Sequence, residues 1–447
     1  MKTFKLKKTP NQIELSLLSL INKGFELSKP SEYLKYFVEK LSPTSIRIGD
    51  YVIDLSVSKL YVIGWGKVTG AMAQALESIL GSRIIEDGIV VTSNPEYLTN
   101  KIKILEGTHP LPSEKNIKAT EEILSLAETC SDKDYVICLV SGGGSSILCL
   151  PAGEISLDDK ISSTITLLKE GIEVEHINRI RKHISEVKGG KLAKAIHPAQ
   201  IFNLIISDDI YDEVHSISSG PTVPDPITFK DAQKVISDHS LRTKLPSSVT
   251  KYIDENVNKV ENETLKPEDI KASNISNHLV FRNKDFRNNL RIAALSKYEN
   301  VFVYPSTLSG DFDDAIEKYN DFISEINPDS DFVVIAGGEI ELKNRSDGLG
   351  GRSQHFAAAM IPILSKYRMA AFAAIASDGH DYLTGIGGAL ITNQTQKIMN
   401  TKGIPYKSYF EAYQSFKIHN EMFTHLMTIK PTQTNVFDAY IFLHLKS

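Results

Sequence analysis

Cysteine is scarce in this chain of 447 residues, which contains only Cys130, Cys138 and Cys149 and no CxxC pair. A disulfide framework or a zinc site built from closely spaced cysteines is therefore disfavoured, and we expect reduced thiols. Long apolar runs are missing as well, since no stretch approaches the roughly 18 residues that span a bilayer. These absences predict an intracellular, cytoplasmic protein that does not enter a membrane.

An excess of positive charge is also absent, because the formal net charge is −5. A nucleic acid is therefore not an expected partner, and an anionic small substrate would need local positive charge. The basic start of the chain resembles a signal peptide, but the apolar run after it is short and contains Glu14, which favours an amphipathic helix. The length and a hydrophobic content of 41% predict two to four globular domains.

The most informative stretch is 135–146. An apolar run, Tyr135–Val140, stops abruptly at Ser141-Gly142-Gly143-Gly144-Ser145-Ser146. A continuous apolar run is typical of a parallel strand that is covered on both faces. The three glycines permit positive φ and leave amide groups unobstructed, so these amides can converge on an anion with serine hydroxyls at the edge. Taken alone, the run is equally compatible with a glycine-rich turn that binds nothing.

A second glycine turn follows a predicted strand at 59–63 and precedes a helical pattern. Its sequence is Gly64-Trp65-Gly66-Lys67-Val68-Thr69-Gly70. The spacing excludes a Walker A loop, which needs four residues between its first glycine and the Gly-Lys pair. A dinucleotide fingerprint requires an acid after the next strand, which here ends in Thr92 and Ser93. Lys67 is thus a cation at a helix N-terminus that suits a phosphate or carboxylate, with a merely solvated lysine as the alternative.

Other polar groups lie in loops of the same half of the chain. His109, between a predicted strand and two prolines, either contacts a ligand or serves only the turn. Asp208 and Asp209 follow a predicted buried strand at 201–206, where carboxylates can hold magnesium or accept a hydroxyl proton. A basic segment offers either phosphate neutralisation or an ordinary solvated face. It comprises His176, Arg179, Arg181, Lys182, His183, Lys188, Lys191 and Lys194.

A polar stretch at 254–275, rich in asparagine and lysine, indicates a domain boundary or hinge in this region. A second α/β pattern follows it, with predicted strands at 300–304, 332–335 and 371–376. Arg352 stands where a further helix is predicted to begin, so its guanidinium and the helix amides suit anionic oxygens. An acidic loop after the last of these strands contains Asp378.

These motifs, in their order and over nearly the whole chain, resemble those of the glycerate 2-kinases of the MOFRL type. The motifs are Gly64-Trp65-Gly66-Lys67, Thr108-His109-Pro110, Ser141-Gly142-Gly143-Gly144-Ser145-Ser146, Ser219-Gly220-Pro221-Thr222-Val223-Pro224-Asp225, Gly337-Gly338-Glu339, Gly350-Gly351-Arg352-Ser353-Gln354 and Ser377-Asp378-Gly379. Their number and order are far more specific than any one glycine loop.

The resemblance implies an α/β protein of two domains, with the active site in the cleft. We assign 1–240 to a larger Rossmann-like N-terminal domain and 241–447 to a smaller MOFRL-like domain. The resemblance also implies phosphorylation of D-glycerate by ATP at the 2-hydroxyl, with Mg²⁺ required. The partners are then D-glycerate and ATP, and the sequence leaves room for a homodimer without fixing the oligomeric state.

The resemblance further implies roles for individual residues. The catalytic lysine and arginine of the family correspond to Lys67 and Arg352, and the aspartate of its Ser-Asp motif to Asp208, which we assign as base or metal ligand. The remaining predicted substrate- or phosphate-binding residues are Gly66, His109, Ser141, Gly142, Gly143, Gly144, Ser145, Ser146, Gly351 and Asp378.

The sequence departs from the family pattern at two places. Thr384-Gly385-Ile386-Gly387-Gly388 stands where Thr-Asp-Ala-Ala-Gly is usual, which leaves any function of that carboxylate open, and Gln433 replaces a usual glycine. Two rival functions remain to be tested. One is a non-enzymatic regulator that binds a sugar acid or nucleotide in the same cleft, and the other is a dehydrogenase, which the missing acid disfavours.

Overall fold

A computed structural model describes residues 2–269, 274–342 and 348–446. The chain divides into two compact units, which we call unit 1 (residues 1–32 and 281–447) and unit 2 (residues 33–280). The sequence analysis instead divided the chain between 240 and 241. The difference arises because a strand at Ile275–Phe281 lies at the edge of the sheet of unit 2, and because the first strand, Phe4–Leu6, pairs with a strand near the C-terminus.

The described strands and helices alternate along much of the chain. The strands are β1 (Phe4–Leu6), β2 (Val38–Ser42), β3 (Ser45–Ile48), β4 (Tyr51–Asp54), β5 (Leu60–Trp65), β6 (Asp87–Thr92), β7 (Ile102–Glu106), β8 (Tyr135–Val140), β9 (Gln200–Ile206), β10 (Ile275–Phe281), β11 (Asn300–Val303), β12 (Leu308–Asp311), β13 (Phe332–Glu341), β14 (Ala370–Ala376), β15 (Ile386–Thr392), β16 (His425–Thr428) and β17 (Asp438–His444). The helices are α1 (Gln12–Leu27), α2 (Pro30–Tyr33), α3 (Thr69–Leu80), α4 (Glu114–Ala127), α5 (Gly144–Ile147), α6 (Leu157–Lys169), α7 (Val174–His183), α8 (Lys191–Ile196), α9 (Phe229–Asp238), α10 (Ser247–Asn256), α11 (Asn283–Leu295), α12 (Phe312–Ser324), α13 (Arg352–Leu364), α14 (Thr395–Lys402), α15 (Tyr406–Glu411) and α16 (Ser415–Met422).

The main sheet of unit 2 has the order β10-β9-β8-β5-β6-β7, and the five strands from β9 to β7 are parallel. The chain builds outwards from β5, first through β6 to β7 and then, on the other side, through β8 to β9. The order therefore reverses between β5 and β8. In open α/β sheets, ligands bind at such a switch point, beyond the carboxyl ends of the strands.

Strand β8 is buried on both faces, as its continuous apolar sequence predicts. Val136, Cys138 and Val140 pack into a core with α4 and α8, whereas Ile137 and Leu139 alternate to the opposite face and are also fully buried. A separate core of unit 2 joins α6, α7, α9 and α10. The sheet thus holds its strand ends in a fixed arrangement, on which the loops of the site depend.

Unit 1 contains a mixed sheet with the order β1-β16-β15-β14-β17-β13-β11, and β12 pairs with β13. A core of this unit includes α12, α13 and the strands β13, β14 and β17. The N-terminal segment completes this unit, since the rings of Phe4 and Phe286 lie 4.8 and 4.9 Å, respectively, from that of Phe25 on α1. The expected helix at the start of the chain is confirmed as α1.

The three cysteines are free and buried, as expected from their small number. Cys138 lies within β8 and behaves as a small apolar residue. Among the described residues, no helix is both long and apolar enough to cross a membrane.

Candidate active site

The loops after β5 and β8 lie side by side at the switch point of unit 2. The backbone N–H of Lys67 donates to the carbonyl of Gly142 (2.9 Å), and the N–H of Ser141 donates to the carbonyl of Trp65 (3.1 Å). The two loops therefore continue the pairing of their parent strands. Lys67 and the glycine run, which the sequence analysis considered separately, belong to one structure.

Gly143 is the position where the three predicted groups of this unit meet. Its φ is +79°, in the left-handed region that favours glycine. A Cβ atom at this position would lie 3.0 Å from both His109 Cδ2 and Lys67 Cγ. A side chain here would displace one or both of these neighbours. The absence of a side chain at Gly143 thus leaves space for Lys67 and His109 beside the glycine loop.

The serines of the glycine run have structural partners. Ser141 is fully buried, and its Oγ accepts a hydrogen bond from the N–H of Val68 (3.1 Å). The hydroxyl of Ser145 lies 3.1 Å from that of Ser219, and Ser146 Oγ donates to the carbonyl of Gly143. Ser141 therefore fixes the turn that carries Lys67, and Ser145 connects the glycine loop to the segment at 217–219.

Lys188 supports the glycine loop from within the protein. It is 2% exposed, and its Nζ donates to the carbonyls of Gly144 (2.7 Å) and Ser218 (2.9 Å). Burial lowers its pKa well below the ordinary value, and the neighbouring charge of Arg181 lowers the pKa further. The sequence analysis placed Lys188 in a basic segment but did not predict that it would hold the loop.

The basic segment is not an ordinary solvated face. Lys182 forms a buried ion pair with Asp225 (3.1 Å), and His183 is fully buried against Phe229. Arg179 pairs with Glu175 (2.6 Å), as lysines and arginines on a helix surface commonly do. The members of the segment therefore differ in function, although the sequence presents them as one group.

Two adjacent carboxylates, Asp208 and Asp209, follow β9. Asp209 accepts hydrogen bonds from the N–H groups of Tyr211 (2.9 Å) and Glu213 (3.1 Å) and from the hydroxyl of Ser216. It thereby forms the turn after the strand. Asp208 is half-buried at the carboxyl end of β9, on the same edge of the sheet as Lys67.

Arg352 of unit 1 is held by two carboxylates from neighbouring strands. Its Nε lies 2.6 Å from Asp438 Oδ2 on β17, and its Nη1 lies 2.5 Å from Glu339 Oε1 on β13. Asp438 is almost fully buried, whereas the side chain of Glu339 is 37% exposed. The guanidinium of Arg352 is thus anchored on its buried side by Asp438, and its other partner, Glu339, faces solvent.

The charges of this group perturb each other. Burial raises the pKa of Asp438 to about 7, although the Arg352 guanidinium acts to lower it. Burial alone would lower the pKa of Arg352, but Asp438 and Glu339 raise it above its usual range. Arg352 therefore keeps its positive charge at every physiological pH.

The turn before Arg352 is fixed by a third carboxylate. Asp381 accepts hydrogen bonds from the N–H groups of Ser353 (3.0 Å) and Gln354 (2.7 Å) at the start of α13. A Cβ atom on Gly351 would lie 2.0 Å from Asp381 Oδ1, so the glycine permits this close approach. The sequence analysis did not select Asp381, although its acidic loop was a visible signal.

The loop containing Asp378 also includes the first departure from the family pattern. Asp378 Oδ1 accepts a hydrogen bond from the N–H of His380 (3.0 Å), and His380 Nδ1 accepts one from the N–H of Gly385 (3.1 Å). Gly385 has φ +79°, and a Cβ atom there would meet nothing within 4 Å. The position therefore has space for a Cβ atom, but its left-handed φ would strain a residue with a side chain.

Protein side chains alone do not form a metal site in the described part of the chain. Within residues 2–269, 274–342 and 348–446, no group of three or more His, Cys, Asp or Glu side chains could hold a metal ion. Magnesium in phosphoryl-transfer enzymes commonly binds through one or two carboxylates together with the phosphates of the substrate. A magnesium ion that binds together with ATP would need few ligands from the protein.

Unit 2 has a parallel sheet with a lysine and a glycine loop at its switch point, and unit 1 has an arginine that two carboxylates anchor. These features define an α/β protein suited to anionic small molecules. Residues 16–254 match a family described as a domain of unknown function (DUF4147), and residues 332–438 match the MOFRL family. The chain belongs to this family of MOFRL-type glycerate 2-kinases.

Its relatives include enzymes with that name. Glycerate 2-kinase of Pyrococcus horikoshii is 35% identical over 85% of this chain and 86% of its own length. D-glycerate 2-kinase of Thermotoga maritima is 28% identical over 97% of this chain and 98% of its own length. A protein of Agrobacterium vitis, provisionally named a hydroxypyruvate reductase, is 32% identical over 84% of this chain and 85% of its own length.

Two crystal structures have the same fold. A protein from Pyrococcus horikoshii OT3 has a TM-score of 0.79 and 32% identity, covering 98% of this chain and all of its own. Glycerate kinase from Thermotoga maritima has a TM-score of 0.77 and 28% identity, covering 95% of this chain and 98% of its own. The predicted family and the two-domain α/β fold are thereby confirmed.

Proposed function

We propose that this protein transfers the γ-phosphoryl group of ATP to the 2-hydroxyl of D-glycerate, giving 2-phosphoglycerate and ADP. In this reaction a bond forms between the hydroxyl oxygen and phosphorus, the bond from phosphorus to the bridging oxygen of ADP breaks, and the hydroxyl proton leaves to a base. Such transfers depend mainly on positioning and on positive charge around the transferred group. The relatives named glycerate 2-kinase support the choice of reaction.

The observation that carries this proposal is the contact of Lys67 and His109 with Gly143 at the switch point. We assign Lys67 to stabilise the charge of the transferred phosphoryl group. The glycine loop, from Gly142 to Ser146, binds phosphate through its backbone amides, and Gly66 allows the turn that carries the lysine. His109 contacts the bound substrate from the adjoining loop.

Two further assignments concern proton transfer and charge. Asp208 accepts the hydroxyl proton or holds magnesium, a proposal that rests on its place at the carboxyl end of β9. Magnesium, when bound with ATP, neutralises phosphate charge. We assign Asp378 of unit 1 to substrate or phosphate binding. Arg352 binds a carboxylate or phosphate through its guanidinium, oriented by Glu339 and Asp438.

The first test is phosphorus NMR of the products formed from D-glycerate, ATP and magnesium. We expect the resonance of 2-phosphoglycerate. Formation of 3-phosphoglycerate would retain the kinase and refute the position of transfer. Absence of any phosphorylated product, with glycerate still bound in a calorimetric titration, would favour the non-enzymatic regulator.

Two substitutions test the catalytic assignments. Lys67→Ala should lower kcat more than tenfold, the equivalent of about 1.4 kcal/mol of transition-state stabilisation. An unchanged kcat with only a raised KM would remove Lys67 from that function. Arg352→Lys should also lower kcat/KM, because an ammonium group cannot make two parallel hydrogen bonds, and normal kinetics would count against the assignment.

The relative named a hydroxypyruvate reductase makes a dehydrogenase the second candidate. Strand β6 ends at Thr92, where a nicotinamide-dependent enzyme of this topology usually has an acid for the ribose. We therefore expect no oxidation of NADH or NADPH with hydroxypyruvate. Rapid oxidation of either cofactor, measured by absorbance, would reverse the order of the two candidates. Cytoplasmic location and a homodimer stay predictions of the sequence.

A further inference from the structure

Four basic side chains lie near one another behind the glycine loop, and we call them the basic cluster. Its members are Lys160, Arg181, Lys188 and Lys191. The charges of Arg181 and Lys160 each help to lower the pKa of Lys188, which burial lowers most. Burial likewise lowers the pKa of Lys160 to about 8, and Arg181 and Lys191 add to this effect. The four cations thus lie within electrostatic range of at least one other member.

Three members of the basic cluster bond to backbone carbonyls. Lys188 donates to Gly144 and Ser218, Lys160 donates to Ile184 (2.8 Å), and Lys191 donates to Ser185 (2.8 Å). In the part of the chain that the structure describes, none of these three lysines forms an ion pair with a carboxylate. Among the described residues, the three amines therefore have backbone acceptors but no carboxylate partner.

Arg181, in the last turn of α7, differs from the other three. Among the described residues, none accepts a hydrogen bond from its guanidinium, and its side chain is only partly exposed. Burial lowers its pKa, so the surroundings do not favour its charge. Partly buried guanidinium groups in proteins are normally paired, because desolvating an unpaired charge is costly.

The chain geometry brings Arg181 close to the glycine loop. The segment that follows α7 runs beside the segment that follows α5, since the N–H of Ala152 donates to the carbonyl of Ile184 (3.2 Å) and that of Glu186 to Leu150 (3.1 Å). Cys149 lies within electrostatic range of Arg181. The same segment continues to Lys188, which holds the carbonyl of Gly144. Arg181 is therefore near the segment that follows the glycine loop and near Lys188, which bonds to that loop.

We propose that Arg181 binds an anionic group of the substrate beside the glycine loop, as one wall of an oxyanion subsite. Two parallel N–H groups of a guanidinium match two oxygens of either a carboxylate or a phosphate. The oxyanion belongs either to glycerate or to the nucleotide. That identification rests on the proposed kinase function, whereas the subsite itself rests on the charges and contacts of unit 2.

Steady-state kinetics separate the two sources. Arg181→Met should raise the KM for one substrate at least tenfold and change the KM for the other by less than about threefold. A raised KM for D-glycerate assigns the carboxylate, and a raised KM for ATP assigns a phosphate. Arg181→Lys keeps the charge but loses the two parallel N–H donors. Its KM for the affected substrate should therefore lie between those of the wild type and Arg181→Met. Its milder change also preserves a folded protein if Arg181→Met does not fold.

The matched control is Arg179→Met, on the same helix. Arg179 already pairs with Glu175, so its loss should leave both KM values within about twofold of the wild type. Unchanged KM values in both Arg181 variants would overturn the inference. Equal changes in the Arg179 and Arg181 variants would also overturn it, because they would indicate a general effect on α7.

A binding measurement distinguishes this inference from the proposed function. Calorimetric titration with D-glycerate, and separately with ATP, should show at least tenfold weaker binding of one ligand to Arg181→Met. If the wild type binds in this Arg181-dependent way without forming product, the subsite stands and the kinase proposal fails. If the wild type is an active kinase and Arg181→Met binds both ligands normally, the kinase stands and the subsite fails.

Discussion

Lys188 shows how one side chain can organise a loop that it does not belong to. Its Nζ joins the carbonyl of Gly144, on the glycine loop, to that of Ser218, two residues that are distant in sequence but adjacent in space.

 The hydroxyls of Ser145 and Ser219, which are 74 residues apart in sequence, lie 3.1 Å from each other. Lys188 bonds to the residue just before each of these two serines. An amine buried in this way is the link that keeps the two segments together.

We predict that Lys188→Met lowers kcat/KM for glycerate phosphorylation at least tenfold. The substitution leaves the carbonyls of Gly144 and Ser218 without their buried donor, at a cost of about 1–3 kcal/mol for each unsatisfied group, so the loop should shift to reach new partners. Steady-state kinetics and urea denaturation measure the two effects.

The control is Lys266→Met. Lys266 Nζ also donates to two backbone carbonyls, those of Ile227 (2.5 Å) and Asp225 (3.2 Å), but not to the glycine loop. Lys266→Met should lower the free energy of unfolding and leave kcat/KM within about threefold of the wild type. Equal losses of activity in the two variants would refute the special function of Lys188.

Gln433 is a second residue with a local consequence. Its φ is +59°, a left-handed conformation that costs a residue with a Cβ about 1–2 kcal/mol. The family usually has glycine here, so this chain retains the backbone conformation without the residue that suits it.

We predict that Gln433→Gly raises the free energy of unfolding by about 0.5–1 kcal/mol, because relief of the left-handed strain exceeds the added entropy of the unfolded chain. Urea denaturation measures the change. Gln433→Ala removes the same side chain and keeps the strain, so it should bring no gain. A gain of equal size in Gln433→Ala would show that the side chain, and not φ, is the cause.

At the scale of secondary-structure elements, β13 and β17 hold Arg352 between them through Glu339 and Asp438. The strands are antiparallel neighbours, and Gly338 pairs with Asp438 in their register. The position of Arg352 therefore depends on two strands that are almost a hundred residues apart in sequence. Asp438 is the buried member, and its titration affects the whole group.

The pH dependence of stability should report that titration. The folded-state pKa of Asp438 is about 7, above the ordinary value of 3.8, so the folded state binds this proton more tightly than the unfolded state does. The group therefore stabilises the fold at acid pH, and its contribution is lost as pH rises from about 4 to about 7. Asp438→Asn removes this dependence.

Urea denaturation of both proteins at several values between pH 4.5 and 7.5 tests the prediction. The free energy of unfolding of the wild type, relative to Asp438→Asn, should fall as pH rises. Parallel profiles of the two proteins would contradict the raised pKa.

The sequence predicted the strands and helices better than the contacts between them. The apolar run at 135–140 predicted both ends of β8 correctly, and Arg352 begins α13 as its glycine context indicated. Contacts made by buried polar residues could not be predicted in this way, because Lys188, Asp381 and Asp438 have partners that are distant in sequence or lie in another element. A lysine in a basic segment has the same local signature whether it is solvated or buried.

At the scale of the whole molecule, the chain builds one unit from a continuous segment and the other from two. Unit 2 is residues 33–280, and its two described core clusters draw on residues of that segment alone. Unit 1 needs both chain ends, since β1 pairs with β16 and α1 packs against α11.

We predict that a fragment of residues 33–280 folds alone, with a cooperative thermal transition followed by circular dichroism. A fragment of residues 281–447 should not, because it lacks the apolar face of α1, including Leu17, Ile21 and Phe25, against which Phe286 packs. Joining residues 1–32 to it by a short linker should restore cooperativity. A sharp transition in the unlinked fragment would refute the dependence on the N-terminal segment.

The division of unit 1 between the two chain ends has a consequence during synthesis. Once residue 280 has left the ribosome, unit 2 has all its residues, whereas β1 has still to wait for β16. The stretch of roughly 150 residues from 281 to the end of β16 takes about 7–30 s at about 5–20 residues per second. During that interval α1 can already pack against α11, whereas β1 and its Phe4 lack their partner strand, so the start of the nascent chain would benefit from protection by a chaperone.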